Sequence, residues 1–188
     1  MRNIIATMWV TLDGFVAGPN GEMNWMGETE DEANGPYQDA FVSAADTLLL
    51  GRVTYESFAG AWPNVPNDPN APEGLKTYAR KLNDMRKIVF SKTLENVEWN
   101  NSTLRREITP TEIMQLKQEP GSNIIIYGSV SLVQALSSLN LIDQYQFLLH
   151  PIVLGEGKPL FKDHAKLKLI NSIPHPSGVI ELYYQPRE

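Results

Sequence analysis

Residues 123–133 read NIIIYGSVSLV, and this stretch decides the fold class. Its apolar part, residues 124–127, is β-branched and aromatic, which predicts a strand that is buried on both faces. Gly128 and Ser129 end the strand, and apolar residues at helical spacing follow directly. A buried strand that passes through a short glycine turn into a helix is typical of α/β proteins with parallel strands.

The same pattern occurs three more times on the amino-terminal side. Predicted strands cover residues 3–11, 47–50 and 87–90, and each one ends at small, polar or basic residues. The residue pairs that end these strands are Asp13-Gly14, Gly51-Arg52 and Ser91-Lys92. The pattern therefore predicts several βα connections with similar chemistry.

Helical patterns fill the segments between the predicted strands. Residues 36–46 predict a helix that opens on Pro36 and closes at Asp46, and a short helix is expected over residues 53–59. Apolar residues at positions i, i+3, i+4 and i+7 predict an amphipathic helix over residues 75–82. Residues 109–112 read TPTE, a capping box that predicts a helix to about Glu119.

The carboxy-terminal part has a different pattern. Strands are expected near residues 144–153, 166–173 and 179–185, with short connections that favour antiparallel pairing. We therefore predict an α/β fold: a mixed, mainly parallel sheet flanked by helices on both faces, with antiparallel C-terminal strands. At about 150 residues per domain, residues 1–188 are expected to form a single domain.

Composition excludes several classes of protein. The chain has no cysteine, which excludes disulfides, a thiol nucleophile and thiolate-bound metals. Its three histidines have no metal-ligand spacing, so no metal site is expected. The net charge of −6 disfavours nucleic acid and anionic membranes as partners. Without a signal-peptide pattern or a long apolar segment, a cytoplasmic location is expected.

The polar strand ends predict a phosphate-bearing ligand. Ligands of open α/β sheets bind beyond the carboxyl ends of the strands, where helix amino termini offer N–H groups to anions. Gly51 allows the backbone to approach a phosphate, and the planar guanidinium group of Arg52 can donate hydrogen bonds to it. Thr54 offers a hydroxyl group as a further donor. The turn over residues 128–130 can present further N–H groups. Neither turn matches the P-loop or the GxGxxG pattern.

Four segments together resemble the dihydrofolate reductase superfamily, in the branch of the reductase domain at the carboxyl end of the bifunctional riboflavin-biosynthesis protein. The segments are TLDGFVA (residues 11–17), LGRVTYE (50–56), IYGS (126–129) and LID through PIVLG (141–155). The resemblance covers nearly the whole chain. It implies a dihydrofolate reductase-like fold, NADPH as the cofactor and a homodimer.

The resemblance also implies roles for individual residues. The phosphates of the cofactor would be met by Gly51, Arg52 and Thr54, and its 2′-phosphate would be read by Ser91 and Lys92. The turn under the pyrophosphate would be formed by Gly128, Ser129 and Val130, and the loop that covers the nicotinamide would contain Val16 and Ala17. A 2′-phosphate adds about two negative charges that Arg52 and Lys92 can pair with, which favours NADP over NAD.

The substrate end of the site is less specific. Asp13 is the candidate catalytic residue, to hold a polar substrate group or to relay a proton, while Phe15 and Trp25 are candidates to stack on a flat heterocycle. Folate reductases carry an acid in the first helix, at a position that corresponds here to Gly35. The nearest acids are Asp31, Glu32 and Asp39, about a turn away.

Two functions stay open. The first is an NADPH-dependent reductase that transfers a hydride to a small heterocyclic (pterin- or pyrimidine-like) or carbonyl substrate. The second is a non-catalytic NADP-binding or sensing protein on the same fold, which the missing acid of the first helix favours.

Overall fold

Ten strands and five α-helices are found in residues 1–29 and 34–187, which the computed structural model describes without the side chains of residues 34–38. The strands are β1 (Ile4–Thr11), β2 (Phe15–Ala17), β3 (Ala45–Gly51), β4 (Arg86–Phe90), β5 (Ser102–Arg105), β6 (Asn123–Tyr127), β7 (Gln144–His150), β8 (Lys158–Pro159), β9 (Leu167–Pro174) and β10 (Ile180–Pro186). The helices are α1 (Asn34–Ser43), α2 (Arg52–Ala61), α3 (Glu73–Asp84), α4 (Pro110–Gln118) and α5 (Val130–Ser138), with short 3₁₀ turns at Asn24–Gly27 and Val65–Asn67.

Eight strands form one sheet in the order β5-β4-β3-β6-β1-β7-β10-β9. The pairs from β5 to β7 are all parallel, and β10 is antiparallel to both β7 and β9. The strands β2 and β8 form a separate two-stranded ribbon. The predicted fold class, a mainly parallel sheet with antiparallel C-terminal strands, is confirmed.

Helices cover both faces of this sheet, and alternation along β1 decides which residues meet which helices. Ile4, Ala6 and Met8 pack in one cluster with apolar residues of α4 and α5. Trp9 belongs to a second cluster with apolar residues of α1, α2 and α3. Because the strands are buried on both faces, their sequences are continuous apolar runs.

The predicted helix boundaries are correct at α4 and wrong at α1. Thr109 caps α4, its hydroxyl accepting from the N–H of Glu112 at 3.3 Å. The first helix ends at Ser43 and not at Asp46, which lies in β3. The Asp46 carboxylate accepts from the Arg2 guanidinium and from the Ser122 N–H, so it belongs to the amino-terminal edge of the sheet.

None of the helices in the described part of the chain is long and apolar enough to cross a membrane.

Lys87 is a charged residue inside the protein, with no exposed surface. Its ammonium group donates to the carbonyls of Asn83, Met85 and Asn100 at 2.8, 2.8 and 2.9 Å. It also lies 4.3 Å from the centre of the Trp99 ring. Burial lowers the pKa of Lys87 to about 8, so the charged form with its three donors predominates at neutral pH. Lys87 therefore ties the end of α3 to the loop before β5.

The substitution Lys87→Met is expected to lower the free energy of unfolding by about 2 to 4 kcal/mol, because three carbonyls lose their donor in a buried place. Urea unfolding at pH 7 measures the loss. The matched control is Arg80→Met, since Arg80 is exposed on α3. A Lys87→Met protein within about 0.5 kcal/mol of the wild type would contradict the structural role.

Candidate functional site

The ends of the parallel strands lie along one edge of the sheet, which we call the carboxyl rim. β4, β3 and β6 are neighbours and run in the same direction, so Ser91, Gly51 and Gly128, which end or follow them, lie along this rim. β1 is paired in parallel with β6, which brings the turn at Asp13 to the same edge. The strand ends that the sequence predicts as a ligand site are therefore brought together.

Hydrogen bonds lock the starts of α2 and α5 side by side. The Ser129 hydroxyl accepts from the Gly51 N–H at 2.6 Å and donates to the Thr54 hydroxyl at 2.9 Å. The Thr54 hydroxyl also accepts from the Ser129 N–H at 3.1 Å. The hydroxyls of Thr54 and Ser129, both predicted to face a cofactor, thus also bind each other.

Close packing at Gly51 and backbone conformation at Gly128 explain why glycine occupies both turns. A Cβ on Gly51 would lie 3.1 Å from the Ser129 hydroxyl oxygen, which is tighter than an ordinary contact. Gly128 has a φ of 63°, in the left-handed region that favours glycine. The locked helices leave the N–H groups of their first turns, at residues 52–53 and 130–131, without acceptors inside the helices. Two helix amino termini at one place can bind a diphosphate through main-chain donors.

Three cationic residues follow three neighbouring strands along the rim. Arg52, after β3, is paired with Glu56 at 2.8 Å, and its side chain is 47% exposed. Lys92, after β4, is exposed and has no side-chain partner among the described residues. Arg106, after β5, donates to the carbonyls of Ser91 and Leu94. Arg52 and Lys92 were predicted from the sequence, and the structure places Arg106 on the same rim.

Sequence reasoning missed Arg106 because it missed β5. That strand has four half-buried residues and pairs only with β4, so it carries no buried apolar pattern. The basic pair Arg105-Arg106 was the available signal. Arg105 pairs with Glu112 at 2.6 Å, which leaves Arg106 as the cation next to the turn after β4.

Ser91 shapes that turn and does not point freely into the rim. Its buried hydroxyl accepts from the N–H groups of Thr93 and Leu94 at 3.2 and 3.0 Å. The turn presents Lys92 to solvent. A direct hydrogen bond from Ser91 to a ligand would have to compete with these contacts.

Asp13 is an exposed carboxylate, and both of its oxygens accept hydrogen bonds from neighbouring main-chain and side-chain groups. One oxygen accepts from the Thr11 hydroxyl at 2.6 Å, and the other accepts from the N–H groups of Leu154 and Gly155 at 3.1 and 2.8 Å. The Thr11 hydrogen bond lowers the pKa of Asp13, desolvation raises it by less, and the two main-chain donors lower it further. The carboxyl group is therefore ionised near neutral pH and is an acceptor, not a proton donor.

The predicted covering loop is an ordered ribbon. Val16 and Ala17, in β2, are 2% and 6% exposed, and β2 pairs with β8. Phe15 is half-buried and lies against Gly157, where an added Cβ would be 3.3 Å from its ring. The side chains of Val16 and Ala17 are therefore not accessible to a ligand in this arrangement.

Trp25 is a packing residue in this structure. It is 1% exposed and meets the ring of His150 edge-on, with 5.3 Å between centroids. His150 in turn hydrogen-bonds Thr29 at 2.8 Å. Stacking of Trp25 on a substrate would require the 3₁₀ turn that carries it to move.

The first turn of α1 contains no acid. Asp39, further along α1, is exposed and pairs with Lys81 at 2.7 Å. Asp31 and Glu32 lie outside the described residues. The position that carries an acid in folate reductases thus has none within the described helix.

Comparison with known proteins places these features in a family. The model of the RibD C-terminal domain family matches residues 2–180. The protein YyaP of Bacillus subtilis (strain 168), described as uncharacterized, is 34% identical over 186 residues, 97% of this chain and 94% of its own length.

Two solved structures have similar folds. A protein of Shewanella sp. PV-4 assigned to riboflavin biosynthesis superposes with a TM-score of 0.75 at 21% identity and covers 100% of both chains. Dihydrofolate reductase of Enterococcus faecalis, complexed with NADP(H), superposes with a TM-score of 0.62 at 16% identity over 99% of this chain and 97% of its own. At these identities the similarity concerns the fold. With the family match across nearly all of the chain, the protein is a member of the RibD C-terminal domain family, which shares the dihydrofolate reductase fold.

Proposed function

We propose that the protein is an NADPH-dependent reductase that acts on a small heterocyclic substrate of pterin or pyrimidine type, or on a small carbonyl compound. The observation that carries the proposal is the pair of helix amino termini locked by Thr54 and Ser129, next to three cations on the same rim. Such a site suits a dinucleotide with a pyrophosphate and a further phosphate. Membership of a reductase-related family supports the same reaction class.

The residues of the rim fit NADPH in a specific way. The main-chain N–H groups in the first turns of α2 and α5, at residues 52–53 and 130–131, would hold the pyrophosphate. The N–H groups of Gly51 and Gly128 already donate to the Ser129 hydroxyl and to the Thr7 carbonyl. NADPH, when bound, supplies the hydride for the reduction. The protein's own contribution is to hold the cofactor and the substrate in register and to exclude water.

Selectivity for the 2′-phosphate is assigned to Arg52, Lys92 and Arg106. These three residues are positively charged although the chain as a whole has a net charge of −6. An anion is therefore attracted to this edge of the sheet. Arg52 is paired with Glu56 on the surface, and a phosphate would take over that guanidinium because its charge is larger.

Asp13 is assigned a positioning role at the substrate end. Its carboxylate holds the loop at Leu154 and Gly155 and can accept one more hydrogen bond, for example from a substrate hydroxyl or ring N–H. The proton that completes the reduction would then come from another group or from water. Phe15 and Trp25 stay candidates for contact with the substrate body.

The alternative, a non-catalytic NADP-binding or sensing protein, is favoured by one observation. The first turn of α1 has no carboxylate to hydrogen-bond a pterin ring. Steady NADPH oxidation with any of a panel of pterins, pyrimidines and small carbonyl compounds separates the two. Tight NADPH binding with no turnover across that panel would favour the sensor.

We further propose that residues 1–188 act as one domain in the cytoplasm and associate as a homodimer. The outermost strand, β9, carries Leu169, Ile170 and Ile173 with exposures of 49%, 48% and 41%. An apolar edge strand with unpaired backbone groups favours association, and pairing of two β9 strands about a two-fold axis would cover both.

The substitution Arg52→Ala is expected to weaken NADPH binding by at least about 1.5 kcal/mol, roughly tenfold, while NADH binding changes less than about threefold. The reason is that only NADPH carries the 2′-phosphate. Quenching or enhancement of the nicotinamide fluorescence measures both affinities. Arg80→Ala, at an exposed position on α3, is the matched control. Equal losses for both cofactors would contradict the assignment of Arg52.

The substitution Asp13→Asn is expected to raise KM for the substrate more than it lowers kcat, since the loop at residues 154–155 loses its charged anchor. Between pH 5 and 9 the shape of the kcat profile should stay that of the wild type, because the pKa of Asp13 already lies below its ordinary value. If the variant lost one limb of a bell-shaped profile, Asp13 would be the proton donor after all.

Light scattering of the full chain is expected to give twice the 21.1 kDa of one chain. Ile170→Lys should produce monomers because it places a charge on the β9 edge, whereas Ile170→Val should leave the dimer intact. A wild-type mass of one chain at working concentration would rule out the homodimer.

A further inference from the structure

A cavity lies away from the carboxyl rim. Its volume is about 440 Å³, and it lies between the later part of α5, the start of β7, residues 161–167 and the end of β10. Both Ile142, just before β7, and Leu167, the first residue of β9, line it, which places it toward the amino ends of those strands. It is therefore separate from the candidate cofactor site.

The floor of this cavity is aromatic and ordered. Tyr145 is 3% exposed, and its hydroxyl donates to the Ser137 hydroxyl at 2.8 Å. The ring of Phe161 packs edge-on against it, with 5.7 Å between centroids. Together with Ile142, these side chains form an apolar inner wall, of which the half-buried Phe161 is the most exposed member.

The mouth of the cavity is cationic. Lys162, Lys166 and Arg187 line it, and none of the three side chains makes a hydrogen bond or ion pair within residues 1–29 and 34–187. The acid in the lining, Asp163, accepts from the Ser138 hydroxyl at 3.1 Å. By contrast, Arg2, Arg86, Arg105 and Lys117 are all paired with carboxylates.

Two of these cations are held opposite one another. The Arg187 N–H donates to the Lys166 carbonyl at 2.9 Å, which continues the pairing of β10 with β9 and sets the two residues across from each other. Like charges at directly opposed positions of an antiparallel pair are destabilising. In a chain of net charge −6, a cluster with no carboxylate partner among the described residues is an unfavourable arrangement that an anion would relieve.

We propose that this cavity binds a small organic anion, a phosphate ester or carboxylate on a flat apolar body. The cations of Lys166 and Arg187 pair with the anionic group, and the rings of Tyr145 and Phe161 contact the body. The cavity has the size of an ordinary small-molecule site. The site is independent of the reductase proposal, since it shares no residue with the rim.

Titration of the full-length protein with phenyl phosphate, followed by amide NMR shifts, tests the proposal. We expect saturable shifts at residues 137–145 and 161–167 with a dissociation constant below about 1 mM. Inorganic phosphate and benzyl alcohol should each bind at least tenfold more weakly, because each lacks one half of the ligand. Shifts at Gly51 and Gly128 report separately on binding at the rim.

The double variant Lys166→Gln, Arg187→Gln should bind phenyl phosphate at least tenfold more weakly. It should be no less stable than the wild type without ligand, since a repulsion is removed. Lys168→Gln is the matched control: Lys168 is also exposed and without a described partner but does not line the cavity, so its affinity should stay within twofold of wild type.

Three results would overturn the proposal. The first is an absence of shifts at the cavity while the protein is folded. The second is equal affinity for phenyl phosphate in the double variant and the wild type. The third is a pattern of shifts that follows a change in oligomeric state, which would make the cavity part of an interface between copies and not a ligand site.

Discussion

Six neighbouring strands of the sheet run in the same direction, and this constraint decides where the helices that follow them begin. In a parallel sheet every connection must return to the same starting edge, so all helices that directly follow a strand begin at the opposite edge. α2 and α5 follow β3 and β6, which are adjacent, and their amino termini therefore meet. The bonds of Ser129 with Gly51 and Thr54 are the local consequence, and the proposed anion site at the rim depends on them.

The two ends of the sheet have different chemistry. At the amino ends of β1 and β3, charges are paired: Arg2 reaches Asp46 on β3, and Lys117 reaches Asp143, whose carboxylate also accepts from the Ile4 N–H. These contacts join chain segments that are distant in sequence and hold the first strand in place. At the carboxyl rim, cations and main-chain donors lie nearer to solvent, where an external anion can reach them. These ion pairs are suited to stability, and the rim is suited to binding.

Most of the elements were predictable because their signals are local. The apolar runs of β3, β4 and β6 and the Thr109 cap of α4 can be recognised in a few residues of sequence. The short strands β2, β5 and β8 were not, since two to four residues carry no periodicity. The end of α1 was misplaced because Asp46 looks like a helix terminus, whereas its partners Arg2 and Ser122 are distant in sequence.

The sequence by itself determined the fold class, the order of the longer strands and of the helices, and the glycine and basic residues that follow the strands, because backbone propensity and burial act over short distances. Only the tertiary structure decided what those residues do. It buried Trp25, and it placed the Asp13 carboxylate where it accepts hydrogen bonds from the N–H groups of Leu154 and Gly155. It also brought Arg106 beside Lys92. The physical reason is that hydrogen bonds and charge contacts depend on which strands become neighbours, and that neighbourhood is a property of the whole sheet.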